Sequence, residues 1–170
     1  MNTIALATVD SPIGELTVAA RGSRVCLVHF GPVSKYVKSA LATWYPDAPV
    51  EPGDDPGGVV SVLVRYFGGD LASLEEVEVE LHGTPFQQRV WNALRTVAAG
   101  TTTSYAKLAG RVRAPAAVRA VAAANGANPV AVILPCHRII GINGSPTGYG
   151  GGLDRKRWLL HHEGVSRTLF

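Results

Sequence analysis

The sequence predicts an α+β protein of two lobes, an N-terminal α+β lobe over residues 1–82 with a small antiparallel sheet and a mostly helical lobe over 83–170. Three observations carry this. Period-two alternation is concentrated before residue 82, and helical spacing with capping signals is concentrated after it. Charge also changes sign along the chain: residues 1–85 hold 5 Lys/Arg and 11 Asp/Glu, whereas residues 86–170 hold 11 and 2. A chain of 170 residues, 46% hydrophobic and 17% charged, can bury one ordinary core or two small lobes.

In the first lobe, Thr3–Val9 and Glu15–Ala20 alternate around the turn Asp10-Ser11-Pro12-Ile13-Gly14, and Val25–Phe30 completes an antiparallel meander. Lys35–Trp44 reads as a helix stopped by Pro46. Residues 46–58, with four prolines and four acids, read as a loop. Val59–Phe67 is apolar enough for a second helix, and 76–81 alternates as a strand. Nothing in this lobe carries chemistry.

The second lobe opens after His82-Gly83 with Thr84-Pro85-Phe86-Gln87, a capping box with Thr at N-cap, Pro at N1 and Gln at N3. Val90, Leu94 and Val97 supply that helix's buried stripe, and Gly100 is expected to end it. Tyr105, Leu108, Ala109 and Val112 are spaced for a helix reaching about Val112. A turn at Ala114-Pro115 follows, then a helix over Ala116–Asn125. Two short helices joined by a basic turn suggest a helix-turn-helix. On the second of them Val118, Val121, Ala122 and Asn125 share a core face. Arg119, Ala123 and Gly126 share the opposite face, with Ala120 beside them. One long cation among residues with almost no side chain suits close approach of a large partner, such as a DNA groove; close helix–helix packing is the alternative. The basic half calls for an anionic partner, unless it only docks the acidic lobe.

The chain has two cysteines and no CxxC, so neither a disulfide framework nor a metal cage is expected. No apolar run approaches the ~20 residues that span a bilayer, and the N-terminus is unlike a signal peptide. A cytosolic protein with free thiols is expected. Cys136 leaves the apolar run Pro129–Pro135 and is followed at once by His137 and Arg138. A free thiol is only a few per cent thiolate at neutral pH, so a reactive one needs a base or positive surroundings. Neighbouring side chains on an extended segment point apart, so His137 can reach Cys136 only through a water or a turn. The alternative is an inert buried cysteine beside a surface His-Arg pair. A last helix, 154–164, has Asp154 as N-cap and Gly164 as terminator. Glu163 in its final turn opposes the helix dipole; a histidine from elsewhere would hold it, giving a Glu–His–water–Cys relay, or His161 and His162 compensate locally. The glycine-rich loop 144–152 sets Tyr149 as a wall for a flat ligand, or is a flexible connector.

Together, Pro135-Cys136-His137-Arg138, the preceding Asn128-Pro129, Arg119, Tyr105, Gly148-Tyr149 and His162-Glu163-Gly164 resemble the O6-alkylguanine-DNA alkyltransferase family. The resemblance is strong over 84–164 and weaker through Asp10–Gly14 and Arg65–Phe67. It implies a ribonuclease-H-like N-terminal lobe and a winged helix-turn-helix in the C-terminal one. It also implies a stand-alone repair protein, monomeric in solution and cooperative along DNA, acting on double-stranded DNA that contains O6-alkylguanine.

In that resemblance Cys136 takes the alkyl group irreversibly, His137 receives the thiol proton through water, and Glu163 orients His137. Asn128 braces the helix-turn-helix against the active-site segment. Arg119 fills the space of an extruded base, with Ala120, Ala123 and Gly126 along the minor groove. Tyr105 stabilises the departing guanine. Pro135, Ile139, Tyr149 and Gly150 line the base pocket, Gly150 standing where some members place a serine. Arg138 is given a structural role with no named partner. No cofactor is implied, and Cys26 with His29 do not reproduce the zinc ligands of some relatives. Three rival readings remain: a non-catalytic lesion binder, against which Cys136 itself argues; a cysteine hydrolase, which would turn over; and a helix-turn-helix regulator, which would want base-reading side chains where this helix is mostly alanine.

Overall fold

The computed structural model describes residues 2–141 and 148–165. The chain divides into two compact units, the first running to His82 and including Pro129–Ile133, the second comprising Gly83–Asn128 and the chain from Leu134 onward. The architecture is mixed α and β.

In the first unit, β1 (Ile4–Val9), β2 (Leu16–Arg21) and β3 (Arg24–Phe30) pair antiparallel in chain order, with Ile4 opposite Arg21 and Leu16 opposite Phe30. α1 (Lys35–Trp44) begins at Ser34, whose hydroxyl caps Val37 N. Its Val37 and Leu41, with Tyr45 beyond its end, cluster with Ile4, Ala19, Cys26 and Leu27 of the sheet. α2 (Val59–Phe67) buries Val59, Val62, Leu63 and Tyr66. Leu16–Ala20 is buried at every position, so the alternation read for β2 does not mark one wet face. Thr17 is accommodated there because its hydroxyl donates to Gly31 O at 2.8 Å.

Three features of this unit depart from the sequence reading. The acidic, proline-rich stretch holds a short strand, β4 (Val50–Pro52), parallel to β1. Its three exposed residues carry no buried face that a pattern could reveal. The strand expected over 76–81 shrinks to β5 (Glu78–Val79), parallel to Arg24–Val25, because a 3-10 turn occupies Leu71–Glu76. The sheet order is β4-β1-β2-β3-β5. Pro129–Ile133, assigned to the C-terminal lobe from sequence, groups instead with the first unit. Val28 N donates to Pro129 O at 3.0 Å and Ala131 N to Val28 O at 3.1 Å, which pairs the segment with β3.

In the second unit, α3 (Pro85–Leu94) begins with the expected capping box: Gln87 N donates to Thr84 Oγ1 at 3.1 Å and Thr84 N to Gln87 Oε1 at 3.0 Å. Such a cap contributes ~1 kcal/mol. Gly83 faces the Trp91 ring so closely that a Cβ there would come within 2.5 Å of it. α3 stops at Leu94, well short of Gly100. Thr96 Oγ1 donates to Ala93 O at 2.6 Å, and Thr96 N and Val97 N make three-residue bonds that tighten the chain out of the α-helix.

β6 (Thr103–Ser104) leads straight into α4 (Tyr105–Arg111), and a turn with Arg113 at φ 59° connects it to α5 (Val118–Gly126). Trp91 Nε1 donates to Ala124 O at 2.7 Å, fastening α3 to α5. β6 pairs in parallel with β7 (Ile139–Ile140), which sets the segment after Arg138 beside the start of α4. α6 (Leu153–His162) has Gly152 at its N-cap, not Asp154, which stands inside the first turn where a carboxylate suits the dipole. Glu163 is its C-cap. Leu160 packs with Ile140 and Val165.

Candidate active site

Cys136 does not sit on an extended segment. Cys136–Arg138 forms a 3-10 turn, entered through Pro135 at φ −80°, ψ 64°. Cys136 N donates to Leu134 O at 2.8 Å, so an inverse γ-turn centred on Pro135 delivers the cysteine. Asn128 Nδ2 holds the same Leu134 carbonyl at 2.8 Å, and Asn125 Nδ2 reaches Cys136 O at 3.4 Å. Asn128 and Asn125 thus each donate to a carbonyl of the segment that carries Cys136, Asn125 from α5.

Cys136 and its two successors are buried, His137 completely. His137 Nε2 lies 2.9 Å from Glu163 Oε2. Arg138 donates to both oxygens of the same carboxylate, Nε to Oε1 and Nη2 to Oε2, each at 2.8 Å, and its Nη1 donates to Val97 O at 2.7 Å. Burial pushes the Glu163 carboxyl up, but His137 and the bidentate Arg138 more than reverse this and hold it well below the usual carboxylate range. A charged Glu163 can only accept, so His137 Nε2 carries the hydrogen and Nδ1 carries the lone pair. Nδ1 is buried with no hydrogen-bond partner among the described residues. Burial pulls His137 below its ordinary value against the opposing pull of Glu163, which favours the neutral ring. Burial also pushes the Cys136 thiol up, while Asn128, the Lys156 charge and Tyr149 act the other way.

The remaining expected residues lie on this turn's flanks, on α4, on the loop before α6 and on α5. Pro135 and Ile139 are buried next to it, and Tyr149 is half-buried. Tyr105 is the first residue of α4, its hydroxyl 4.0 Å from where a Cβ on Gly148 would stand. Gly150 lacks a positive φ, and a Cβ on it would meet only Gly126 O at 3.9 Å, so a serine would fit there. The rest of the glycine-rich loop, 144–147, lies outside the described residues. On α5, Val121, Ala124 and Asn125 are buried while Arg119, Ala120, Ala123 and Gly126 are exposed. A Cβ on Gly126 would meet nothing within 4 Å, so packing inside the described chain does not call for a glycine there. Helix–helix packing is thus a poor account of this bare face.

Residues 85–165 match the family described as 6-O-methylguanine DNA methyltransferase, DNA binding domain. A Mycobacterium tuberculosis (strain ATCC 25618 / H37Rv) protein named methylated-DNA–protein-cysteine methyltransferase is 48% identical over 159 residues, 92% of this chain and 90% of its own. The chain belongs to the methylated-DNA–protein-cysteine methyltransferase family. A member from Mycolicibacterium paratuberculosis (strain ATCC BAA-968 / K-10) is 44% identical over 167 residues, 96% of each chain. The crystal structure of Mycobacterium tuberculosis OGT in complex with DNA superposes with a TM-score of 0.76 at 43% identity, covering 94% of this chain and 92% of that one.

Within this methyltransferase frame, three residues were missed or underread in the sequence. The sequence names no partner for Arg138, yet it shares Glu163 with His137. Asn125 was counted as core, although an amide on a core face is itself a signal that a polar partner is needed. Lys156 was overlooked. It is fully buried on α6, where Lys156, Leu159, Leu160 and Glu163 form one inward stripe at helical spacing. Two charges on an apolar stripe were the legible clue.

Proposed function

We propose that this protein repairs DNA directly, transferring the alkyl group from O6 of guanine in double-stranded DNA to Cys136, once per molecule. The buried His137–Glu163 hydrogen bond at the Cys136 turn carries this reading. Glu163, held anionic by Arg138, accepts from His137 Nε2 and leaves Nδ1 as the atom that can receive a proton. His137 takes the thiol proton through a water. The sulfur then attacks the alkyl carbon, the S–C bond forms as the C–O6 bond breaks, and the electron pair leaves with guanine. A departing guanine anion needs hydrogen-bond stabilisation, which is the role assigned to Tyr105. Nothing in this chemistry returns the thioether to the thiol, so the protein is consumed.

A base inside a duplex is out of reach and is extruded into the pocket of Pro135, Ile139, Tyr149 and Gly150. We read α4, its turn and α5 as a winged helix-turn-helix that sets Ala120, Ala123 and Gly126 along the minor groove, with Arg119 occupying the vacated stack. The meander of β1–β3 with α1 and α2 supports a ribonuclease-H-like reading of the first unit. Two buried free cysteines suit a cytoplasmic protein, and no helix among the described residues is long and apolar enough to cross a membrane.

The test is intact-protein mass spectrometry after incubation with excess duplex containing O6-methylguanine. One added methyl per protein, mapped to Cys136 and matched by one restored guanine, is the expected result. Repeated turnover with unmodified protein would mean a hydrolase, and tight lesion binding without modification a non-catalytic binder. Arg119→Ala should weaken reaction with duplex DNA about tenfold or more, in line with loss of a contact of ~1–3 kcal/mol. Reaction with free O6-benzylguanine should be unchanged, and equal losses on both substrates would remove Arg119 from base extrusion.

A further inference from the structure

Lys156 is a buried cation that the relay does not use. Its side chain is fully enclosed, and Nζ donates to Ile139 O at 2.6 Å and to Gly148 O at 3.0 Å. These two carbonyls belong to separate segments of the site. Ile139 directly follows the Cys136–Arg138 turn, and Gly148 directly precedes Tyr149 and lies beside the Tyr105 hydroxyl. A buried ammonium is costly unless a negative charge or several acceptors compensate it. A neutral residue of similar length could fill the same volume, so neither packing nor the need for a stable core explains a charge at this point.

We propose that Lys156 is a positioning residue of the transfer reaction: its ammonium pins the Cys136 turn and the Gly148–Tyr149 wall to α6, and is the fixed positive charge against which the Cys136 thiolate forms. This rests on the repair reading above. The charged and titratable groups of its surroundings are Cys136 and His137 on the turn, with Glu163 and Arg138 paired to His137, and Tyr149 from the loop. Burial pulls Lys156 down to about 8, and the negative form of Cys136 opposes that pull. The same interaction favours the thiolate against burial of the sulfur. During transfer the thiol proton goes to His137, the S–C bond forms as C–O6 breaks, and Lys156 keeps its own proton throughout.

The interaction is reciprocal, so each partner reports on the other. The first arm compares wild type with Lys156→Met, a near-isosteric change, by the pH dependence of Cys136 carboxamidomethylation with iodoacetamide, mapped by peptide to exclude Cys26. The midpoint should rise by about one pH unit, with methyl transfer at neutral pH falling about tenfold and recovering at higher pH. A role confined to packing would lower the rate without moving the midpoint, and an unmoved midpoint overturns the proposal. The second arm needs no variant. The Lys156 Nζ titration followed by NMR in the wild-type protein should shift to lower pH once Cys136 is methylated; an unchanged titration overturns the proposal even where Lys156→Met folds poorly. Wild-type protein that accepts no methyl on Cys136 would instead defeat the repair reading, which keeps the two failures apart.

Discussion

Cys136→Ser should abolish alkyl transfer and leave binding to duplex DNA intact. The reaction depends on a sulfur that can become an anion at neutral pH beside a neutral imidazole. A serine hydroxyl in the same turn is far less acidic and less nucleophilic, so His137 cannot activate it to a comparable degree. The DNA-facing residues proposed here, Arg119, Ala120, Ala123 and Gly126, lie on α5 and are untouched by the change. Nor can the other thiol substitute. Burial pushes Cys26 up to about 11, the nearby Glu80 adds to this, and its thiol donates a hydrogen bond to Ala19 O at 3.5 Å. Mass spectrometry of the variant after exposure to O6-methylguanine duplex, alongside a binding isotherm on the same DNA, checks both halves. Methylated variant would place the nucleophile elsewhere, and lost binding would mean that the cysteine also organises the DNA-facing helices.

Glu163→Ala should be the most destabilising single change in the second unit, by ~3–5 kcal/mol in chemical denaturation, because it leaves a buried guanidinium without its counter-charge. Among the described residues Arg138 would keep only its bond to Val97 O, and His137 Nε2 would lose its acceptor. Glu163→Gln, which keeps the shape and one acceptor oxygen, should cost less stability yet still slow transfer, since an amide no longer favours imidazolium formation. Equal stability of Glu163→Ala and wild type would show that the pair is not formed in solution. The pH dependence follows the same groups. Glu163 is depressed in the folded protein, so its contribution is complete above its unfolded value of ~4.3 and is lost as pH falls toward the folded value. His137 is also depressed and folds neutral, so below its unfolded value of ~6.5 the unfolded chain binds the proton more readily. Stability should therefore decline on acidification from about pH 6.5, and more steeply below about pH 4.3 in wild type than in Glu163→Ala.

Local signals were legible wherever the physics is local. The capping box at Thr84 and Gln87 and the helices Lys35–Trp44 and Val59–Phe67 are decided by residues within a turn or two of each other. Helical periodicity alone sets Arg119, Ala123 and Gly126 on an exposed face of α5 and Val121 and Asn125 on the core face, as found. Val118 and Ala122, however, are only half-buried, and Ala124 is buried in their stead. The misplacement of Glu163 against the helix dipole was itself a readable anomaly, and it pointed correctly to a histidine from elsewhere.

What failed to be legible depends on pairing across distance. β4 exists because β1 offers a free edge, and its own three exposed residues announce nothing. Pro129–Ile133 reads as an approach to Cys136, but backbone hydrogen bonds to Val28 bind it to β3. Backbone pairing of that kind leaves no trace in side-chain pattern.

The sequence by itself singled out Cys136, His137, Glu163 and the bare face of α5 as candidates, because each is a choice of residue type that ordinary packing does not demand. Only the tertiary structure decided that Glu163 answers both His137 and Arg138, and that Lys156 lies buried against Ile139 O and Gly148 O. Buried charges are tolerated only where partners from distant segments converge, and that convergence is a property of the fold.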